Sequence, residues 1–207
     1  YDTDDNRFLR FGTFDTYSRE LSDGTGDIFP WIQPEGRVLW YAENTMDTEG
    51  GSSNGNSFAL MKDTETNQFH IYKFYAYSNA YKRAYYAINS SLATGINDAK
   101  LFAFSSKRSM FLYAVGKTLY AYDYNKGYEK LYKMELDDEI TMLKFDIQSN
   151  TTYNDLYIAT YNSTTGGTLQ KYVLGTDQNK FELTPDERCH WTDLVKVKDM
   201  DWINSTK

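Results

Sequence analysis

Residues 111–145 (FLYAVGKTLYAYDYNKGYEKLYKMELDDEITMLKF) narrow the choice of fold more sharply than any other stretch. Two strand-like segments, 111–115 and 118–123, are separated only by Gly116 and Lys117. That length and composition suit a tight hairpin in which glycine supplies a positive φ. Further segments of alternating polar and apolar residues follow, with the two-residue period of a β-strand. The stretch therefore predicts one four-stranded antiparallel sheet unit and the start of the next.

The same pattern recurs along the chain. Residues 1–11 (YDTDDNRFLRF) align with residues 62–72 (KDTETNQFHIY), and residues 122–132 and 172–181 occupy the same place in their own units. Self-similarity at a spacing of about 50 to 60 residues is typical of propellers and other repeat arrays. The sequence therefore predicts an all-β fold, a β-propeller or part of one, built from four-stranded antiparallel blades.

We interpret residues 1–207 as a single propeller region, the C-terminal part of a longer precursor, because the chain begins at Tyr1 without a Met. Residues 1–13 supply the last part of a blade and residues 194–203 a first strand. Propellers commonly close by building one blade from both chain ends, so we expect a missing N-terminal segment of the same protein as a partner. The blade number stays open between four and a larger ring. The nearly complete blades are predicted at residues 27–76, 100–134 and 139–184.

Charge and composition narrow the classes of partner. The net charge of −7 disfavours nucleic acid, because lysines and arginines are scattered rather than clustered. The single cysteine, Cys189, excludes an intramolecular disulfide and a zinc site built from several thiolates within this chain. No apolar run reaches the roughly 18 to 20 residues of a membrane-spanning helix. One segment, residues 77–88 (YSNAYKRAYYAI), is compatible with either a strand or a short helix.

A family resemblance is carried by residues 98–124 (DAKLFAFSSKRSMFLYAVGKTLYAYDY), residues 139–146 (EITMLKFD) and the terminal stretch 191–204. These segments resemble the propeller region of PKD-like surface lipoproteins of Bacteroidetes. The resemblance implies immunoglobulin-like PKD modules before a C-terminal propeller, and an N-terminal lipid anchor at the outer membrane, facing the extracellular or periplasmic side. It implies roles in adhesion or glycan handling. It supplies no catalytic residue, and neither a lipidated cysteine nor a PKD module lies within this sequence.

Catalytic chemistry finds little support in the sequence. Only His70 and His190 could act as an imidazole base, and they are far apart in the chain. His190 follows Cys189 directly, and adjacent side chains of an extended strand point to opposite faces, which works against a Cys-His dyad. Paired carboxylates could run glycoside hydrolysis, but no spacing singles out a pair among 29 acidic residues. We predict no catalytic residue.

Acidic clusters at residues 2–6, 137–139 and 199–201 could supply oxygen ligands to calcium. The first lacks the glycine and distal glutamate of an EF-hand loop. It also falls in the repeated hairpin, where Asp and Asn favour turns. We therefore assign these clusters to turn chemistry and predict no metal site and no cofactor, with calcium as the alternative.

Tryptophans are the best candidates for recognition, because an indole face stacks on a sugar while its N–H donates a hydrogen bond. Trp31 lies between Pro30 and Pro34, and Trp191 lies in a charged stretch. The predicted ligand-binding residues are Trp31, Arg37, Trp40, Tyr41 and Trp191. The sequence predicts a non-enzymatic cell-surface binding or adhesion module that recognises a glycan or a protein. The alternative is a polysaccharide-active hydrolase or lyase with its site in the propeller centre.

Overall fold

The fold was derived from a computed structural model. The residues that the structure describes are 14–15, 20–21, 37–44, 56–63, 65–77, 80–89, 91–105, 110–124, 130–146, 155–177 and 179–200. Their strands, numbered in chain order, are β1 (Phe14–Asp15), β2 (Glu20–Leu21), β3 (Arg37–Asn44), β4 (Asn56–Lys62), β5 (Phe69–Tyr77), β6 (Ala80–Ile88), β7 (Leu101–Ser105), β8 (Met110–Val115), β9 (Thr118–Asp123), β10 (Lys130–Glu135), β11 (Glu139–Phe145), β12 (Asp155–Asn162), β13 (Gly166–Leu174) and β14 (Leu183–Leu194).

Three four-stranded antiparallel sheets follow one another along the chain. They are the first sheet (β3 to β6), the second sheet (β7 to β10) and the third sheet (β11 to β14), and β1 pairs with β2 separately. Each of the three is a meander in which successive strands are neighbours. The only helical element among the described residues is a single 3-10 turn at Ile96–Asp98. The prediction of an all-β fold is confirmed, and the four-stranded antiparallel unit occurs three times.

The chain divides into two compact units, Tyr1–Ile88 and Asn89–Lys207. The first unit contains the first sheet, and the second unit contains the second and third sheets. Residues 77–88, for which the sequence left two possibilities, include strand β6, which pairs with β5 from Tyr77 opposite Ala80 onward. The first sheet therefore takes its fourth strand from beyond residue 76.

The turn between β4 and β5 shows how the repeated acidic motif works. The carboxylate of Asp63 accepts hydrogen bonds from the backbone amides of Glu65 and Thr66, both at 2.8 Å. These bonds favour the charged carboxylate and hold the pKa of Asp63 below its usual range. Asn67 then adopts a φ of 57°, a conformation that Asn tolerates better than most residues. At this copy of the motif, the predicted turn chemistry is confirmed.

The predicted hairpin at Gly116-Lys117 is also confirmed. Val115 pairs with Thr118 across these two residues, and Gly116 has a φ of 59°. The chain then passes back over this turn on its way to the third sheet. The backbone amide of Leu136 donates to the carbonyl of Lys117, and that of Ile140 donates to the carbonyl of Gly116, both at 2.9 Å.

The second and third sheets share a hydrophobic core. One face of the second sheet packs against one face of the third, and β11 lies chiefly against β7. Full burial of a leucine or isoleucine contributes about 1.5–3 kcal/mol relative to exposure, so this core stabilises the second unit strongly. The second sheet contributes Ala103, Met110, Leu112, Ala114, Leu119 and Ala121, and the third contributes Ile140, Leu143, Phe145, Leu156, Ile158 and Leu174.

The opposite face of the second sheet is aromatic. Tyr113 stands between Phe102 and Tyr120 in the strand register, and its ring stacks on that of Tyr120 at 4.9 Å and 8°. The Tyr113 hydroxyl donates to the carbonyl of Thr94 at 2.8 Å, so the chain segment before β7 crosses this face. Burial raises the pKa of the Tyr113 phenol. The many tyrosines of the sequence here form part of a core.

The last strand of the third sheet is longer than the sequence suggests. The predicted blade ends at residue 184, whereas β14 continues to Leu194, with residues 186–189 inserted opposite Lys171 as a bulge. These inserted residues are mostly charged, so they interrupt the alternation that marks a strand. Residues 195–200 form no strand, and 201–203 lie outside the described residues, as does the predicted piece at 1–13.

Candidate functional site

The third sheet has a second face, which we call the outer face, on the side away from the shared core. One row of directly paired residues crosses it, Met142, Ala159, Leu169 and Trp191, one from each strand. Directly paired residues of antiparallel strands project to the same side of a sheet, so this row defines the outer face. Met142 and Ala159 are buried, whereas Trp191 at the sheet edge is 45% exposed.

Two exposed apolar side chains lie on this face. Trp191 is joined there by Val173, which is 38% exposed and lies on the same side of β13 as Leu169. Val195, which directly follows β14, is 83% exposed. These three are the exposed large hydrophobic residues among those whose burial is described. The exposed indole and the valine on the same face make this surface a candidate for contact with a partner.

A lysine-centred ion cluster lies next to the Trp191 row. The Lys171 ammonium lies 2.8 Å from the carboxylate of Asp155 on β12 and 3.7 Å from that of Asp186 on β14. The hydrogen bond to Asp155 raises the pKa of Lys171, although burial works in the opposite direction. Lys171 therefore ties three neighbouring strands together at one level of the sheet.

The bulge at residues 186–189 is held from the other side by Gln170. The side-chain amide of this residue donates to the backbone carbonyls of Asp186 at 2.9 Å and Cys189 at 3.3 Å. Gln170 is buried, so its amide satisfies carbonyl groups that the irregular strand would otherwise leave without partners. The bulge is therefore stabilised by specific hydrogen bonds, and it places Asp186 beside Lys171.

Arg188 projects from this bulge and pairs with Asp186 through two hydrogen bonds, at 3.0 and 3.1 Å. The Arg188 hydrogen bonds hold the pKa of the Asp186 carboxyl below its usual range. A glycosidase acid requires the opposite, a carboxyl whose pKa is raised so that it keeps a proton. Although Asp155 and Asp186 converge on Lys171, this environment does not favour general-acid chemistry.

Residues 195–200 run along β11 at the outer face. Lys196 pairs with Glu139 at the start of β11 at 3.2 Å, and its ammonium lies 5.4 Å from the ring centroid of Tyr161. Further along, Lys144 pairs with Asp199 at 2.9 Å and also donates to the backbone carbonyl of Met200. The contacts advance in the same direction on both chains, so this segment is parallel to β11.

The predicted ligand-binding residues are distributed over both units. Trp191 is on the outer face of the third sheet, in the second unit. Arg37, Trp40 and Tyr41 lie on β3 of the first sheet, where Trp40 pairs with Leu60 after a bulge, and only their backbone is described. Trp31 lies outside the described residues. Within the third sheet, the directly paired neighbour of Trp191 is Leu169.

The residues that sequence reasoning missed are Lys171, Asp155 and Asp186, together with Gln170. The sequence does contain a signal for Lys171, because Gln170 and Lys171 place two polar residues in the middle of the apolar segment TLQKYVL. A charged residue at such a position requires a nearby partner of opposite charge. Its partners could not be identified, because each is one of 29 acidic residues.

Within the described ranges, no group of three or more His, Cys, Asp or Glu side chains is placed to hold a metal ion. No helix in that same part of the chain has the length and apolar character needed to cross a membrane. Searches with this sequence found no matching protein-family model and no matching curated protein.

Proposed function

We propose that this chain is a non-enzymatic binding or adhesion module on a β-propeller scaffold, displayed at a bacterial cell surface. Its recognition surface is the outer face of the third sheet, around Trp191. The observation that carries the proposal is the 45% exposure of this indole on a face that also exposes Val173. A large aromatic side chain left in solvent on a rigid sheet suits recognition, because it offers contact area with little loss of conformational freedom.

Two features of the second unit support the propeller. The last strands of the second and third sheets, β10 and β14, have no buried residue, whereas β8, β9 and β11 are largely buried. The first strands of successive sheets, β7 and β11, lie against each other. Blades of a propeller have this arrangement, since their first strands line the centre and their last strands face outward. The cell-surface location, and a lipid anchor on a longer precursor as the link to the membrane, rest on the family resemblance alone.

The partner is a glycan or a protein, and Trp191 suits both. A sugar ring stacks on the exposed indole, with Arg188 of the adjacent bulge nearby in the chain as a hydrogen-bonding side chain. A protein partner uses the same indole as an anchor, because tryptophan is enriched among residues that dominate interface energies. Lys171 and its carboxylates then form a polar border.

The experiment is a binding screen with the purified chain against host and plant polysaccharides, with and without calcium. Binding to the folded state alone raises the melting temperature (Tm), so each glycan is first tested by thermal shift and then by calorimetry. We expect one glycan to raise Tm, and Trp191→Ala to weaken its binding by about 10-fold or more, on the scale of one stacked aromatic contact.

Two matched variants complete the test. Val173→Ala shortens another exposed apolar side chain on the same face and should leave the affinity unchanged. Trp191→Phe keeps an aromatic ring and should restore part of it. If a glycan binds with equal affinity to the wild type and Trp191→Ala, the outer face is not its site. If no glycan binds, the protein-binding form is tested by capturing cell-surface proteins with the wild type and Trp191→Ala in parallel.

A further inference from the structure

We propose that the outer face of the third sheet binds an uncharged polysaccharide, whose sugar rings contact both the indole of Trp191 and the guanidinium of Arg188. This inference rests on the proposed function, because it names the class of ligand for the same surface. It also assigns a role to the ion cluster of Lys171, Arg188, Asp155 and Asp186, which disfavours charged glycans.

The guanidinium of Arg188 lies on the same face as Trp191. Lys171 projects to the outer face, because it is two residues from Leu169, the direct strand partner of Trp191. The carboxylate of Asp186 pairs with Lys171 and also accepts both hydrogen bonds from Arg188. Two residues of a strand span about 7 Å, so a short oligosaccharide laid along β13 reaches both the indole and the guanidinium.

The guanidinium of Arg188 is held in place and is still open to a ligand. It donates to the two carboxylate oxygens of Asp186 at 3.0 and 3.1 Å, which uses two of its five N–H groups. The side chain is nevertheless 88% exposed. A donor group that is already oriented loses less conformational freedom when a ligand binds. Arg188 is therefore suited to donate hydrogen bonds to sugar hydroxyl groups.

The ion cluster carries no net charge. Lys171 and Arg188 contribute two positive charges, and Asp155 and Asp186 contribute two negative charges. Asp193, which is exposed at the end of β14, adds a single negative charge that dissolved salt screens. A charged glycan would therefore have to compete with the ion pairs that the cluster already contains. An uncharged sugar leaves those ion pairs intact.

Partial burial of the cluster favours a sugar over a protein surface. The side chains of Lys171, Asp155 and Asp186 are 17%, 12% and 12% exposed. A protein laid over them would remove their remaining water, and desolvation of an ion pair can cost more than its attraction returns. Hydroxyl groups both donate and accept hydrogen bonds, so those of a sugar replace that water directly.

The exposed apolar area of the outer face is also small. Trp191 and Val173 are its exposed large hydrophobic residues in the described part of the chain. A stable protein interface buries about 800 Å² on each partner, and its centre is depleted of Lys and Asp. One indole and one valine beside an ion cluster therefore fit a stacked sugar ring better than the centre of a protein interface.

Pairs of glycans that differ in charge test the inference. One pair is an N-acetylated chitooligosaccharide and its deacetylated, cationic form, and the other is methyl-esterified polygalacturonate and its de-esterified, anionic form. Neutral galactomannan, xyloglucan and β-glucan complete the set, and calorimetry with the full chain gives each affinity. We expect the glycans that bind to be uncharged. Their affinity should change less than about 2-fold between about 0.05 and 0.5 M salt, because salt screens only charges.

Two results overturn the inference. The first is a charged glycan that binds about 10-fold or more tightly than its uncharged form and loses that advantage in salt, because ionic attraction then determines the ligand. The second is the absence of binding by every uncharged probe. The proposed function is judged separately in that case, by the capture of cell-surface proteins with the wild type and Trp191→Ala, so the two failures are distinguishable.

Arg188→Gln tests the contact with the sugar. The variant removes the charged donor groups and keeps the indole of Trp191, so it should weaken binding of an uncharged glycan about 10-fold. Because the Arg188 side chain is largely exposed, the protein should keep its fold, which circular dichroism checks. Equal affinity in the wild type and a folded Arg188→Gln variant overturns this contact.

Asp186→Asn tests the charge balance. The variant leaves the cluster with one excess positive charge, so the anionic polygalacturonate should bind at least about 10-fold more tightly than to the wild type at low salt. Glu182→Gln is the matched control, because it removes one negative charge from an exposed residue before β14. It should leave the preference for uncharged glycans unchanged. If a folded Asp186→Asn variant binds polygalacturonate no better than the control does, the cluster does not determine the class of glycan.

Discussion

Replacement of Gly167 by alanine tests how closely the backbone at the end of β14 approaches β13. The added Cβ would lie 2.6 Å from the carbonyl oxygen of Val195 and 2.9 Å from that of Leu194. Both oxygens belong to the backbone, and Leu194 is the strand partner of Gly167, so the contact is relieved only if the end of β14 moves away from β13. Overpacking costs about 1–3 kcal/mol, and two backbone contacts place this case near the upper value. For a chain of this size, 3 kcal/mol lowers Tm by about 6–12 °C.

The control is the other hairpin glycine, Gly116. A Cβ there meets nothing within 4 Å, so Gly116→Ala is disfavoured only by the φ of 59°, which costs about 1–2 kcal/mol. Thermal unfolding of both variants followed by circular dichroism gives the comparison, and hydrogen exchange locates the damage. We expect Gly167→Ala to be the less stable and to accelerate exchange at residues 195–200. If Gly167→Ala lowers Tm less than Gly116→Ala does and leaves exchange at residues 195–200 unchanged, the close approach of the two backbone segments is refuted.

Two further predictions concern groups inside the second unit. Lys171→Met should lower Tm more at pH 7 than at a pH below the folded-state pKa of Asp186, as measured by calorimetry. Arg188 is the chief cause of the depressed pKa of Asp186, and Lys171 adds to it. The resulting stability is present above the unfolded-state pKa and is lost as the pH falls through the lower folded-state value, where protonation removes the charge that Lys171 faces. An equal loss at both pH values would show that Lys171 acts through packing alone. Tyr113→Phe leaves the carbonyl of Thr94 without its 2.8 Å hydrogen bond, which should cost about 1 kcal/mol and lower Tm by about 2–4 °C. In an alkaline ultraviolet titration, Tyr113 should ionise after the exposed tyrosines, because burial raises its pKa.

Local signals in the sequence were sufficient for the strands and tight turns. The Gly116-Lys117 hairpin and the Asp63 turn each follow from a few adjacent residues whose conformational preferences agree. Residues 77–88 remained ambiguous, because alternating aromatic and small residues fit a strand or a helix equally well. There the pairing with β5 decides, since it supplies the hydrogen bonds that favour the strand. Such pairing is a tertiary effect that residues 77–88 alone do not encode.

The candidate site was less accessible to sequence reasoning, because it depends on which residues become neighbours. Trp191 was a candidate from its residue type alone, whereas its exposure follows from its place on the last strand of a sheet. The partners of Lys171 lie 16 residues before it and 15 residues after it, so no motif at short range links them. The bulge that places Asp186 beside Lys171 depends on one buried amide, that of Gln170. A polar residue in an apolar segment indicated an unusual position without revealing its partners.

The first and last strands of the third sheet differ in burial, and this difference is why we place the proposed recognition surface on the edge strand. Its first strand is fixed by the shared core, where a change in side-chain volume disturbs both sheets at once. Its last strand touches that core little, and its irregular backbone is anchored locally by Gln170 and Lys171. A strand held in this way can carry an exposed Trp191 and a charged bulge without loss of the sheet. The recognition that we propose at the outermost strand would therefore use the same gradient of burial that stabilises the sheet from its first strand outward.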